Sequence, residues 1–518
     1  MKARSGDLVA VCASLSSFVG KGVSSGCSLI SDASKWVHQV QSFGQSGMKL
    51  GLFSIGLDVY WPQFEGLEQR LIQYNASIEK RLAQTGLHVV NLGLIDTPQA
   101  ALVAGHEFRQ ADVDLLFLHA ATYGLSSTVL PVVRRAKVPV IVLNLAPGSA
   151  IDYGAFNRMR GRREMTGEWL AWCGLCPVPE IANVFMRSGI PLFQVTGMLE
   201  EDPVAWNEVI ECVEAAKVVY AMEHNRIGLM GNYYGGMLDV YSDLTQQCAT
   251  FGGHFEMIEV DELAALREAV VASEVDERVS HFFDAFDIQP DCAREELERS
   301  AVTSVALDRL VEKHQLGAIA YYYKGTGNTA NEEAISSIIL GNSLLTARGI
   351  PVAGEYEVKN VQAMKIMDSF GAGGSFSEFY TADFKDDVVL LGHDGPGHMA
   401  IAEGKIKVKP LSEYHGKVGC GLSVEMSVKS GPVTLLSIAE SGNGRLRLLV
   451  AEGESVAGPI LEIGNTNSRY RFSIGARRFI NDWNANRPAH HCAIGVGHIA
   501  RKVKKFGALL GLETVQVC

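Results

Sequence analysis

Lys49-Leu50-Gly51-Leu52-Phe53-Ser54-Ile55 is an apolar run of strand length closed by Gly56, the pattern of a strand buried on both faces. The chain after it keeps the same alternation. Glu65–Thr85 carries Leu67, Leu71, Ile72, Ile78 and Leu82 among charges and stops at Gly86, which predicts an amphipathic helix. Further apolar runs at Leu87–Leu92, Val113–His119 and Val138–Leu145 are separated by stretches able to hold helices, 97–110 and 123–137. Strands joined through helices build a parallel sheet covered on both faces. A long helix opened by Asp202 as N-cap and Pro203 at its first position leads into a second round. That round reads as strand Arg226–Gly231, helix Leu238–Phe251, strand His254–Val260 and, after a charged helical region, strand Leu316–Tyr323.

From about residue 376 the texture changes to short runs, Val388–Leu391, Ile406–Val408, Leu422–Val428, Val433–Ile438 and Leu446–Val450, separated by Gly, Asn and Ser turns. These predict an antiparallel β domain. A His-rich segment, a basic helix and a last strand, Glu513–Val517, close the chain. The expected architecture is α/β: a Rossmann-like parallel-sheet domain over 48–222, a second over 223–375, and a C-terminal antiparallel, barrel-like β domain over 376–518. Residues 1–47 read as a disordered extension, because Asp7 and the serines that follow spoil the short apolar run after Lys2 and Arg4 as a targeting segment.

With 518 residues, 47% apolar and 20% charged, the chain can bury several cores. Lys and Arg total 46 against 58 Asp and Glu, a net charge of -12, and no local basic patch shows in the sequence, so no nucleic-acid partner is expected. Ten irregularly spaced cysteines suit reduced thiols and a cytoplasmic location. The apolar runs fall short of the roughly 20 residues of a bilayer crossing, so no membrane association is expected. Cys173-Gly174-Leu175-Cys176 stands alone and reads as packed thiols. The glycine patterns of dinucleotide sites, P-loops and hydrolase elbows are missing.

The informative region is the last third. Glu355 follows a strand-like run in Pro351-Val352-Ala353-Gly354-Glu355-Tyr356-Glu357, and Glu378 sits in Gly373-Gly374-Ser375-Phe376-Ser377-Glu378-Phe379-Tyr380. His393 ends the run Val388–Leu391, and His490 and His491 form an adjacent pair. Two carboxylates and one or two imidazoles match the preferences of a divalent ion such as Mn²⁺, with positions left for water or substrate oxygen. Each of these residues singly also reads as a surface carboxylate or a hydrogen-bonded turn histidine, so composition permits a metal site without requiring one.

The order and contexts of these residues resemble the L-arabinose isomerase and L-fucose isomerase superfamily. Gly354-Glu355 is similar to its G-E segment, Ser375-Phe376-Ser377-Glu378-Phe379-Tyr380 to its S-F-x-E-x-Y segment, Leu390-Leu391-Gly392-His393 to its L-G-x-H strand end, and Ala489-His490-His491 to its A-H-H. The resemblance implies that Glu355, Glu378, His393 and His491 hold a divalent metal, normally Mn²⁺. It further implies that Glu355 and Glu378 share the acid/base work of an aldose–ketose isomerisation through a cis-enediol, and that His490 contacts a substrate hydroxyl. Two elements depart from the arabinose-type pattern. Ile55-Gly56-Leu57-Asp58-Val59-Tyr60-Trp61 replaces Gln-His-Leu-Tyr-Gly, and Asn144-Leu145-Ala146-Pro147-Gly148-Ser149 replaces Asn-Gln-Thr-x-His. The sugar is therefore left unidentified. Family members form homo-oligomers with the site near a subunit boundary, and Asp58, Tyr60 and Trp61 are the expected wall residues of such a pocket. Two other classes remain open at this point, a related metal-dependent epimerase and a non-catalytic sugar-binding homologue.

Overall fold

The structure, a computed structural model, describes residues 47–411, 413–414, 417–418 and 420–518; the expected extension up to residue 46 lies outside the described residues. Five parallel strands form the first sheet: Lys49–Ile55 (β1), His88–Ile95 (β2), Leu115–His119 (β3), Val140–Ala146 (β4) and Phe193–Met198 (β5), in the order β2-β1-β3-β4-β5. β1 is buried on both faces, as its sequence requires. Leu50 and Leu52 pack with Trp206 and Val209 of helix Pro203–Glu223, while Phe53 and Ile55 pack on the opposite side with Phe108. Asp202 caps the Pro203 helix by accepting from the backbone N–H of Val204 and Ala205 at 3.1 and 3.0 Å, which satisfies two of its orphan donors.

The next strands are Arg226–Gly231 (β6), His254–Ile258 (β7), the two-residue Asp287–Ile288 (β8), Ala318–Tyr322 (β9) and Val352–Ala353 (β10). Four of them make a second parallel sheet in the order β10-β9-β6-β7. Its strand order reverses at β6, so the loops after β6, β9 and β10 meet at one end of the sheet, the place where such sheets bind ligands. The helix expected over Leu238–Phe251 is confined to Leu244–Phe251. Asp243 accepts from the backbone N–H of Gln246 at 3.1 Å and starts the helix there, leaving a loop over 232–243 with one 3-10 turn at Leu238–Val240.

The remaining strands are Ser375–Asp383 (β11), Val388–His393 (β12), Lys407–Pro410 (β13), Glu413–Tyr414 (β14), Lys417–Val418 (β15), Leu422–Glu425 (β16), Gly431–Glu440 (β17), Leu446–Val456 (β18), Thr466–Arg471 (β19), Cys492–Val496 (β20) and Glu513–Gln516 (β21). Seven form an antiparallel-rich sheet in the order β17-β20-β11-β12-β19-β18-β21, and an added β17–β18 pairing closes six of them into a ring. The last strand departs from the expected antiparallel pattern: β21 runs parallel to β18, because helix Ala500–Leu509 carries the chain back to the same end before it pairs. Apolar packing continues from this sheet into the preceding region, since Val279, Phe282 and Leu297 share a cluster with Leu391, Leu435 and Trp483. No described helix is long and apolar enough to cross a membrane.

Candidate metal centre

Three of the four expected ligands stand on neighbouring strands of the ring. Glu378 lies on β11 opposite Gly392, His393 ends β12, and His491 immediately precedes β20, whose Cys492 pairs with Ser377. Register thus carries residues more than a hundred positions apart to one rim. Gly392 is required for β12 to pair on its other side with β19, because a Cβ there would stand 1.8 Å from the carbonyl oxygen of Thr466. Glu355 arrives from the second parallel sheet, directly after β10.

Glu355 and Tyr356 both adopt left-handed backbone conformations, φ 58° and 61°. For non-glycine residues this costs roughly 1–2 kcal/mol each. Surrounding hydrogen bonds fix the turn: Tyr356 N–H donates to Tyr321 O at 3.0 Å, Glu357 N–H to Gly354 O at 3.0 Å, and Tyr234 N–H to Glu355 O at 3.3 Å. The strain falls on Glu355 itself, whereas the neighbouring Gly354 has an ordinary φ.

Glu355, His393 and His491 bring their ligand atoms within 4.8 Å of one another, and so do Glu378, His490 and His491. The two groups share His491. Two atoms each about 2.1 Å from one ion lie at most about 4.2 Å apart, so a small inward shift of the side chains suffices to hold a cation. His491 Nε2 faces Glu355 Oε2 at 3.3 Å, and both atoms are buried without a hydrogen-bond partner. His393 Nδ1 bonds the carbonyl of Asp394 at 2.6 Å, and His491 Nδ1 lies 3.4 Å from Glu357 Oε2. Each imidazole is therefore held from behind through Nδ1, which leaves Nε2 to face the centre, the arrangement in which metal-binding histidines are oriented by outer partners. The unpartnered His491 Nε2 and Glu355 Oε2, facing each other beside His393 with the Nδ1 sides of both rings bonded, fit a divalent cation, while Glu378 falls in the second group that shares His491.

His490 Nε2 bonds Glu378 Oε2 at 2.7 Å, and its backbone N–H donates to Asp239 Oδ2 at 2.7 Å. The expected wall residues lie elsewhere. Asp58 begins a 3-10 turn after β1, Tyr60 and Trp61 pack with Phe64, Leu71 and Trp172, and Trp61 Nε1 donates to Asp96 at 2.8 Å.

Burial works against the charged forms of both glutamates, yet the neighbouring imidazoles outweigh it and hold Glu355 and Glu378 below the usual carboxylate range. His393 is pulled down to about 4, by desolvation first and by the charge of His491 second. His491 is pushed up to about 9 because the carboxylates of Glu355 and Glu357 outweigh its desolvation. Phe376 covers both rings, its centroid 4.2 Å from His393 and 4.5 Å from His491. The buried side is thus closed by Phe376, whereas Glu355, Glu378 and His490 keep 21%, 24% and 43% of their side-chain surface exposed.

Three further residues complete the centre without having stood out in the sequence. Glu357 is fully buried, its other oxygen lies 3.4 Å from the Lys359 ammonium, and Lys359 donates in turn to the carbonyl of Asp239. The charges at 355, 357 and 359, set in an otherwise apolar stretch, were the available signal.

No protein-family model matches the chain. It is 25% identical over 354 residues to the L-arabinose isomerase of Nocardioides sp., a match covering 65% of this chain and 68% of that protein. It is 22% identical over 351 residues to the L-arabinose isomerase of Acidothermus cellulolyticus, covering 65% and 69%. The chain is therefore distantly related to the L-arabinose isomerases. Among solved structures, a substrate-binding protein of a sugar ABC transport system from Bordetella parapertussis aligns over 62% of this chain and 80% of its own at 10% identity and a TM-score of 0.15, too low to carry an argument.

Proposed function

We propose that this protein is an aldose–ketose isomerase acting on a free sugar through a cis-enediol, with a divalent cation, Mn²⁺ by expectation, held by Glu355, Glu378, His393 and His491. The distant L-arabinose isomerase relationship supports the reaction class. The observation that carries the reading is the unsatisfied pair His491 Nε2 and Glu355 Oε2, 3.3 Å apart and buried, on a rim that also holds His393 and Glu378.

Isomerisation removes a proton from the carbon beside a carbonyl and returns one to the former carbonyl carbon. A bound divalent cation supplies positive charge where negative charge develops on the two sugar oxygens. The protein's own groups do the rest. Glu355 and Glu378 stay ionised at neutral pH and can accept the proton. His490 Nε2, bonded to Glu378 Oε2 on the open side of the site, helps keep that carboxylate ionised and can donate a hydrogen bond to a sugar hydroxyl. Phe376 keeps water from the inner side of the two metal-facing rings.

The three largest of the five sheets support units at 48–222, 223–375 and 376–518, and both the charged rim and the pairing of Asp287–Ile288 with Lys407–Val408 require the last two to act together. Asp58, Tyr60 and Trp61, remote from the rim along this chain, would serve as pocket walls for a neighbouring copy in a homo-oligomer. Metal analysis of the purified protein, followed by aldose-to-ketose assays with chelator and with added Mn²⁺, tests the reading. Chelator should abolish turnover and Mn²⁺ should restore it; turnover indifferent to both sinks the proposal.

A further inference from the structure

Folding brings Arg109 and His106 up to the basic run Arg134-Arg135-Ala136-Lys137 in one cleft. Helices Pro98–Ala111 and Leu130–Ala136 pack so closely that a Cβ on Gly105 would stand 2.8 Å from both Arg135 Cβ and Pro131 O. Between their C-terminal ends opens a cavity of about 450 Å³ lined by His106, Arg109, Gln110, Arg134, Arg135 and Lys137. Its lining holds four cations, one imidazole and one amide, and no carboxylate.

Arg70, Arg81, Arg278, Arg299 and Arg309 each sit against a carboxylate at 2.5–2.7 Å. Among the described residues, Arg109, Arg134, Arg135 and Lys137 have no such partner, in a chain whose net charge is -12. Helix polarity accounts for part of this concentration, since Arg109, Arg134 and Arg135 occupy last turns. Each helix C-terminus contributes only about half a negative charge, so two of them offset about one of the four positive charges. The Arg135 guanidinium also donates to His106 Nδ1 at 3.2 Å, which leaves the ring proton on Nε2 as a further donor.

We propose that this cleft binds a phosphate group carried by a small molecule. Guanidinium forks match phosphate oxygens bidentately, and three of them with an ammonium and an imidazole donor complement a doubly charged monoester. The volume lies within the range of about 300–1,000 Å³ typical of small-ligand sites, and the cleft is a compact spot rather than the extended basic stripe that duplex nucleic acid requires.

Titration calorimetry on the full chain, at constant ionic strength set with chloride, tests this with two probes, inorganic phosphate and ribose 5-phosphate. The expected result is saturable binding of ribose 5-phosphate, with inorganic phosphate competing for the same site. The double variant Arg134→Ser/Arg135→Ser should weaken it at least tenfold while its circular dichroism and melting temperature stay those of the parent; Arg109→Ser supplies the same loss without touching the His106 contact. Absence of saturable binding overturns the proposal, as does binding unchanged in both variants. Tighter binding of short duplex DNA than of ribose 5-phosphate also overturns it and reassigns the surface.

Discussion

Glu357 Oε2 lies 3.4 Å from His491 Nδ1, and both side chains are fully buried. The other carboxylate oxygen faces the buried Lys359 ammonium, so one glutamate both orients a candidate metal ligand and neutralises an interior cation.

Removing that glutamate should therefore have two separable effects. Glu357→Gln keeps an acceptor for His491 but loses the charge, and Mn²⁺ affinity should fall about 10- to 100-fold, the usual loss for an outer-shell partner. Glu357→Ala strands Lys359 and should cost about 3–5 kcal/mol of stability. Metal titration and denaturant unfolding measure the two; Mn²⁺ binding unaltered in the Gln variant contradicts the orienting role.

Glu355→Gln and Glu378→Gln should each abolish isomerisation, because an amide cannot take the substrate proton. Both replacements are nearly isosteric on partly exposed side chains, so melting temperatures should move little. Parental turnover in either variant would remove that residue from the mechanism.

Asp239 holds the His490 backbone with one carboxylate oxygen and Lys359 with its carbonyl. Asp239→Ala deletes a charge-assisted bond of about 1.5–3 kcal/mol that positions His490, and kcat/KM should drop about ten- to a hundredfold. Asp239→Asn retains an accepting oxygen and should recover most of the loss. Equal rates for the Ala variant and the parent refute a positioning role.

His119 supplies a pH dependence remote from the rim. Its ring is fully buried at the end of β3, where Ser54 Oγ lies 3.1 Å from Nδ1 and Asn75 donates to Ser54 at 2.9 Å. Desolvation pulls its pKa down to about 4, below the value of 6.5 for a free side chain. The fold therefore keeps the ring neutral. Its contribution to stability is complete above pH 6.5 and is lost as pH falls from 6.5 towards 4, by about 3 kcal/mol in all. The loss of unfolding free energy between pH 7.5 and 4.5 should be smaller in His119→Gln than in the parent; an equal loss in both proteins refutes the assignment.

Much of the scaffold could be read from the chain because its signals are local. The all-apolar run of β1, the Asp202-Pro203 helix start and the Gly-punctuated runs after residue 376 each commit to one conformation before any tertiary contact forms. The helix expected from Leu238 failed because Asp243, a stronger start signal inside that stretch, captured the N-cap. That error hid Asp239, which a helical reading places among solvent-facing side chains. Glu355, Glu378, His393 and His491 could be singled out because charge stands beside glycine at the ends of apolar runs. Their supports could not: Glu357 looks like one more surface carboxylate until burial closes over it, and no residue type announces that Glu355 and Tyr356 take left-handed backbone. Arg109 and Arg134 likewise become neighbours only through the helix contact at Gly105.

The closed ring of β17, β20, β11, β12, β19 and β18 has a mechanical consequence. Glu378, His393 and His491 ride on one rigid hoop whose hydrogen-bond register cannot slip without breaking every rung. Glu355 rides on a different sheet, behind a turn already under torsional load. Ala353 of that sheet nevertheless shares one buried apolar cluster with Phe376, Leu436 and Ala493 of the hoop, so the two layers are locked together and the four side chains are set in place by the fold itself.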